Sequence, residues 1–181
     1  MNNFDDKFFS KRKHIAWRAP YVCDAIETLF HPKSVIDVGC GIGEFLKEFQ
    51  ARGVDTLGTE NTEDVFPHLM IPQSSVEIKD ILKPPRFNRK WDVALCFMVV
   101  GRLPEDTWDK CARFLTKCSD TVITVVENEE LWTECMAKRN FKLDEEATMK
   151  ICALLSPWFD KTAIRSFRYT QVFRRVNEQS E

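Results

Sequence analysis

Apolar residues along the chain are spaced so that short buried strands alternate with amphipathic helices. Residues 34–38 are predicted to form a buried strand, and the helix predicted over 44–51 carries Phe45, Leu46 and Phe49 on one side. Residues 4–30 are expected to be helical in two pieces that part near Pro20. The remaining predicted strands are 55–60, 75–80, 91–100, 121–126, 141–143 and 168–175, and the remaining predicted helices are 106–117 and 129–139. Residues 153–165 are expected to be irregular.

Strands that alternate with helices indicate an α/β fold with a mostly parallel sheet and helices on both faces. Such sheets bind ligands beyond the carboxyl ends of their strands, where the strand order reverses. Three acids, Asp37, Glu60 and Asp80, fall at or near predicted strand ends. The pattern therefore predicts a ligand site at that edge of the sheet.

Composition and charge narrow the class of protein. The 181 residues fit one domain, and the net charge of -2 argues against a dedicated nucleic-acid binder but not against a local basic patch. Seven cysteines without a CxxC pair form neither a disulfide framework nor a zinc signature, so we expect no metal and a reducing, cytoplasmic setting. No apolar stretch approaches ~18 residues, so no membrane span is expected.

A Gly-x-Gly-x-Gly turn lies between the first predicted strand and its helix. Glycine permits a tight turn and close approach of the backbone to a ligand, although a turn of this kind also occurs without any ligand. Glu60 ends the next strand, where a carboxylate can accept both ribose hydroxyls, and Asp80 with the Ile81 amide can meet an adenine ring. Asp37 suits a ligand with a positive group better than a pyrophosphate, which disfavours a nicotinamide cofactor.

These residues resemble the motifs of the class I S-adenosylmethionine-dependent methyltransferases. Residues 35–46 (VIDVGCGIGEFL) look like motif I, 57–60 (LGTE) like the ribose-binding motif, and 79–81 (KDI) like the adenine-contacting motif. Residues 91–96 (WDVALC) and 102–105 (RLPE) resemble motif IV and its trailing turn. The resemblance covers about residues 33–127. It implies a three-layer Rossmann-like fold with a seven-stranded sheet and a reversed final hairpin.

The resemblance also implies roles for matched positions. S-adenosylmethionine would be the cofactor and S-adenosylhomocysteine the product, with the glycine loop around the methionine part and Asp37 near its amino group, directly or through water. The implied cofactor-binding residues are Asp37, Gly39, Cys40, Gly41, Gly43, Glu60, Asn61, Asp80, Ile81, Cys96 and Phe97. The single domain 1–181 would then divide into a helical cover (1–31), a cofactor-binding core (33–127) and a part that completes the sheet and the acceptor side (128–181).

The run Met98-Val99-Val100-Gly101-Arg102 departs from the family pattern. Many small-molecule members carry a Glu-x-x-Glu-His-like stretch here, so no catalytic residue is assigned. We expect a methyltransferase (EC 2.1.1.-) with a small-molecule acceptor, while nucleic acid, protein, and a second copy or partner subunit that completes the site stay open. The alternative is a module that binds the cofactor without transfer. The basic run 11–14 with Arg18 could meet an anionic acceptor or a phosphate, and a solvated helix face is the competing interpretation.

Overall fold

A computed structural model describes residues 6–161 and 164–176. Seven strands form one sheet in the order β3-β2-β1-β4-β5-β7-β6, and all neighbours are parallel except β7, which is antiparallel to β5 and β6. The strands are β1 (Ser34–Val38), β2 (Asp55–Glu60), β3 (Val76–Ile78), β4 (Val93–Phe97), β5 (Thr121–Val125), β6 (Phe141–Leu143) and β7 (Thr170–Arg175). The order reverses between β1 and β4, so a ligand site is expected beyond these two strands. The predicted α/β fold is confirmed.

Six α-helices accompany the sheet in the described residues. They are α1 (Asp6–Arg12), α2 (Ala19–Phe30), α3 (Glu44–Ala51), α4 (Trp108–Cys118), α5 (Glu129–Ala137) and α6 (Glu145–Leu155). A 3-10 segment over Lys13–Arg18 joins α1 to α2, and Pro20 lies in the first turn of α2, where its missing N–H costs no hydrogen bond. The break near Pro20 is therefore confirmed. Residues 4 and 5 of the predicted helix lie outside the described residues.

Helix α6 was not predicted, and its last turn occupies residues that were expected to be irregular. Asp144 caps it by accepting a hydrogen bond from the Ala147 amide at 3.0 Å, and Ile151 and Leu155 are buried on one side. Its other apolar residues, such as Met149, are exposed, which blurs the helical pattern in the sequence. The expectation for 153–155 was wrong; residues 162 and 163 of the same stretch lie outside the described residues.

Two apolar layers cover the faces of the sheet. Helices α2, α3 and α6 pack on one face, and α4 and α5 pack on the other. Phe9 of α1 is buried beside Ile42 and Val65, so the N-terminal helix lies over the glycine turn rather than on either face. No helix within the described ranges is long and apolar enough to cross a membrane.

Candidate functional site

The turn after β1 requires its glycines for conformation and for space. Gly39, Gly41 and Gly43 have φ angles of 77°, 57° and 78°, in the left-handed region that side chains disfavour. A Cβ on Gly39 would lie 2.4 Å from Cγ2 of Val99, which follows β4. The loop is therefore held in close contact with the end of β4.

Four amides of this loop are already used inside the protein. The Gly39 and Cys40 amides donate to the Thr59 carbonyl at 2.8 and 3.0 Å, and the Gly43 amide donates to the Cys40 carbonyl at 3.1 Å. The Gly41 amide donates to Glu60. Phosphate-binding loops instead point free amides at their ligand. This loop is therefore poorly suited to a phosphate group.

Glu60, at the end of β2, accepts two backbone hydrogen bonds. Its Oε1 accepts from the Gly41 amide at 2.8 Å and its Oε2 from the Asn61 amide at 3.1 Å. Burial raises the pKa of Glu60, although the two amide bonds act in the opposite direction. An ionised carboxylate has about four acceptor positions, so each oxygen keeps capacity for a further donor such as a hydroxyl.

Asp37 is a buried carboxylate that lacks hydrogen-bond compensation. It is only 2% exposed, and within residues 6–161 and 164–176 its carboxylate accepts no hydrogen bond. Burial raises the pKa of Asp37 well above its usual range, and the nearby Glu44 carboxylate raises it further. A buried carboxylate that accepts no hydrogen bond is stabilised by a nearby cation.

Glu44 and two arginines form an ion network beneath the loop. Glu44 Oε1 accepts from Arg12 Nη2 at 2.6 Å and from Arg18 Nη2 at 3.1 Å. Arg18 is 1% exposed, and burial lowers its pKa to about 10. Together with Asp37 and Glu60, the cluster has three carboxylates and two guanidinium groups. The carboxylates of the cluster therefore outnumber its guanidinium groups by one.

A pocket with about 630 Å³ of empty space opens at the carboxyl ends of β1, β2 and β4. Six of the predicted residues line it: Gly39, Gly41, Glu60, Asn61, Ile81 and Phe97. The fold thus brings together residues that the sequence places in four separate motifs. In the described chain no cluster of three or more His, Cys, Asp or Glu side chains could hold a metal.

Five predicted residues lie near the pocket without lining it. Asp80 lies beyond the end of β3 and accepts a hydrogen bond from the Leu82 amide at 2.9 Å. The side chains of Cys40 and Cys96 are buried in apolar clusters, and Gly43 is the N-cap of α3. Asp37 lies within electrostatic reach of Arg12 and Glu60, two residues of the lining. The roles predicted for these five positions stay predictions.

The rest of the lining was not assigned to the site from the sequence. Phe8 and Arg12 come from α1, and Met98, Val99 and Arg102 come from the run that departs from the family pattern. Met98 has a φ of 59°, a left-handed conformation directly after β4 that is uncommon for a non-glycine residue. The basic run and the departure were visible in the sequence, but their meeting at one pocket depends on the tertiary fold.

Comparison with protein families decides what kind of domain this is. A family model described as a methyltransferase domain matches residues 14–123, more than half of the chain. The chain belongs to the methyltransferase domain family. The comparison with curated proteins gives no match.

Solved structures support the same fold. DesVI from Streptomyces venezuelae shares 23% identity and a TM-score of 0.54, with 65% of this chain and 53% of that chain covered. The sugar N-methyltransferase KedS8 from Streptoalloteichus sp ATCC 53650 shares 16% identity, with coverage of 66% and 52% and a TM-score of 0.55. This chain thus covers about half the length of these two proteins.

A third structure is covered over most of its length. Magnesium protoporphyrin IX methyltransferase (ChlM) from Synechocystis PCC 6803, solved with bound S-adenosylmethionine, shares 15% identity. The alignment covers 97% of this chain and 86% of that chain, with a TM-score of 0.60. The predicted class I methyltransferase fold is confirmed.

Proposed function

We propose that the chain binds S-adenosylmethionine in the pocket at the ends of β1, β2 and β4 and transfers its methyl group to a small-molecule acceptor. The observation that carries this proposal is the buried Asp37 carboxylate, which receives no hydrogen bond from the described residues and lies in a cluster with one more carboxylate than guanidinium groups. S-adenosylmethionine carries an ammonium group, a sulfonium and a carboxylate, and its net charge is positive. The site and the cofactor are complementary.

Each part of the cofactor has a matching group in the pocket or beside it. Asp37 would attract the ammonium group, directly or through water, and the unused acceptor positions of Glu60 would take the ribose hydroxyls. Ile81, Phe97 and Leu103 supply apolar walls for the adenine ring. Four of the loop amides donate inside the protein, so few remain there for the diphosphate of a nicotinamide dinucleotide.

The chemistry needs positioning more than proton transfer. When bound, the cofactor supplies a methyl group on a positively charged sulfur. Methyl transfer is an in-line displacement, and holding the acceptor in line and excluding water supplies much of the acceleration. A general base is required only for an acceptor that must lose a proton early. The small-molecule acceptor is supported by the sugar N-methyltransferase among the similar structures.

Titration calorimetry tests the cofactor assignment. We expect the protein to bind S-adenosylmethionine and S-adenosylhomocysteine and not to bind NAD. Glu60→Gln is expected to weaken both by roughly 10- to 100-fold, because hydrogen bonds to a charged group contribute about 1.5–3 kcal/mol. Glu134→Gln removes the same charge at an exposed position of α5 and should leave affinity unchanged. Absence of binding at high micromolar concentration by a folded protein would overturn the assignment.

A cofactor-binding module without transfer is the second candidate. The observation that favours it is the lining of the pocket, in which the described residues include no His, Cys, Tyr or Asp, and the one carboxylate, Glu60, already holds two amides.

Methyl-labelled cofactor separates the two candidates. The protein is incubated with labelled S-adenosylmethionine and fractions of a cell extract, and label is followed into small molecules, proteins and nucleic acids. A transferase is expected to label the small-molecule pool beyond a control without the protein. Binding that persists with no transfer to any pool would instead support the module.

A further inference from the structure

A second pocket adjoins the first on the side of the N-terminal helix. It has about 910 Å³ of empty space and is lined by Lys7, Phe8, Lys11, Arg12, Ile15 and Arg102. Three of these residues, Phe8, Arg12 and Arg102, also line the first pocket and form the wall between the two. A molecule bound in the second pocket therefore contacts the wall of the first. We call this second site the basic pocket.

The basic pocket concentrates positive charge in a chain whose net charge is -2. Four of its six lining residues are cationic, and none of those that the structure describes is acidic. Lys7 and Lys11 are exposed and lie four residues apart on α1, a spacing at which like charges repel across one helix face. An anion bound between them would relieve that repulsion.

The two arginines of the basic pocket share one aromatic ring. The guanidinium carbons of Arg12 and Arg102 lie 5.9 and 5.2 Å from the centroid of Phe8. Burial lowers the pKa of Arg102, and the nearby charge of Arg12 lowers it further. Arg12 is paired with Glu44, and Arg102 donates from Nε to the Met98 carbonyl at 2.9 Å. The wall between the pockets thus combines an apolar surface with positive charge.

We propose that the basic pocket binds a carboxylate or phosphate group of the methyl acceptor, whose carbon skeleton packs against Phe8 and Ile15. This inference rests on the proposed function, because it places the acceptor beside the cofactor. It also accounts for Arg102, which lies in the run that departs from the family pattern. An open pocket with four cations in a chain of net charge -2 suits a small anionic molecule, whereas nucleic-acid binders usually show a basic stripe and a basic domain.

Small aromatic anions test the inference without knowledge of the natural acceptor. The full chain, labelled with nitrogen-15 and saturated with S-adenosylhomocysteine, is titrated with phenyl phosphate, benzoate and neutral benzamide, and dissociation constants are taken from amide shifts. We expect at least one anion to bind at least fivefold more tightly than benzamide, with shifts at residues 7–15 and 99–103. The stronger of the two anions indicates whether phosphate or carboxylate is the preferred group.

Two double variants isolate the charges. Lys7→Gln with Lys11→Gln is expected to weaken binding of that anion at least fivefold, and S-adenosylhomocysteine affinity should not change, since neither lysine lines the first pocket. Lys13→Gln with Lys110→Gln removes the same charge at exposed positions outside both linings and should change binding less than twofold.

Three results would overturn the inference. They are equal effects of the two double variants, equal binding of benzamide and the anions, and displacement of the anions by a single-stranded RNA that binds more tightly than either. If S-adenosylhomocysteine itself does not bind the unmodified protein, the proposed function fails instead, and calorimetry reports that separately.

Discussion

Replacing Glu44 with alanine is expected to lower the free energy of unfolding by about 3–5 kcal/mol, the range for breaking a buried ion pair by removing one partner. The Glu44 side chain is fully buried, and its Oε1 accepts from both Arg12 and Arg18. Without it, the buried Arg18 guanidinium loses the ion pair with Glu44 while its desolvation cost remains. Total stability is about 5–15 kcal/mol for most proteins, so the loss is a large share. Urea unfolding followed by circular dichroism measures it.

Matched variants separate the ion network from helix effects. Glu48→Ala alters a half-buried acid one turn later in the same helix and is expected to cost less than ~1 kcal/mol, as for most changes outside a buried network. Replacing Glu44 and Arg18 together by methionine should recover much of the loss, because apolar residues of similar volume often substitute for a buried pair. If Glu44→Ala unfolds within 1 kcal/mol of the unmodified protein, the network does not stabilise the fold.

The ion network around Glu44 could not be predicted from the sequence. The strand, glycine turn and helix from Ser34 to Ala51 follow from local pattern, and the structure agrees with that pattern. From its neighbouring residues alone, Glu44 is an ordinary acid in the first turn of a helix. Its partner Arg12 is 32 residues away and belongs to a run that also fits a solvated helix face. Only the position of α1 over the turn decides between these interpretations.

The ends of strands and the exposed helix α6 could not be predicted from the local sequence pattern either. The run 91–100 is apolar throughout, yet β4 ends at Phe97, because Met98 adopts a left-handed conformation and Val99 packs against Gly39. The strand predicted over 75–80 ends at Ile78, so Asp80 lies in a turn. In both places the chain leaves the sheet where it meets the pocket. Contacts at the site, rather than strand propensity, set these ends.

The internal use of the loop amides sharpened the functional inference. The sequence allowed a glycine turn with amides free to approach a ligand. In the structure the Gly39 and Cys40 amides donate to the Thr59 carbonyl, and the Gly41 amide donates to Glu60. What this loop and the carboxylates next to it offer a ligand is therefore mainly hydrogen-bond acceptors. That polarity separates a cationic cofactor from a dinucleotide more clearly than the glycine spacing did.

Asp37→Asn is expected to change stability and cofactor affinity in opposite directions. Asparagine has nearly the same shape and removes a buried charge that no hydrogen bond from the described residues compensates, so the ligand-free protein should gain about 0.5–2 kcal/mol, the usual range for a stabilising substitution. The same change removes the charge that attracts the ammonium group. S-adenosylhomocysteine affinity should fall roughly 10- to 100-fold, since a hydrogen bond to a charged group contributes about 1.5–3 kcal/mol. Thermal unfolding and calorimetry measure the two effects.

The raised pKa of Asp37 determines how the stability difference between Asp37→Asn and the unmodified protein changes with pH. The pKa of Asp37 is raised in the folded protein, so between about pH 4 and that raised pKa the folded state binds more protons than the unfolded state. Its contribution to stability is present at low pH and is lost as pH rises through the folded pKa. The stability gain of Asp37→Asn over the unmodified protein should therefore be largest at high pH. Glu60, whose pKa is also raised, makes the stability of both proteins depend on pH to some extent.

Cofactor binding should show the complementary trend, because the ammonium group is attracted only by the ionised carboxylate. In the unmodified protein, S-adenosylhomocysteine affinity is expected to rise with pH through the raised pKa of Asp37, and the Asn variant should show a smaller rise. Glu134→Gln again serves as the control, since its exposed carboxylate lies away from the cluster. A variant that is destabilised, or that binds the ligand as tightly as the unmodified protein at every pH, would show that Asp37 supports the fold rather than the cofactor.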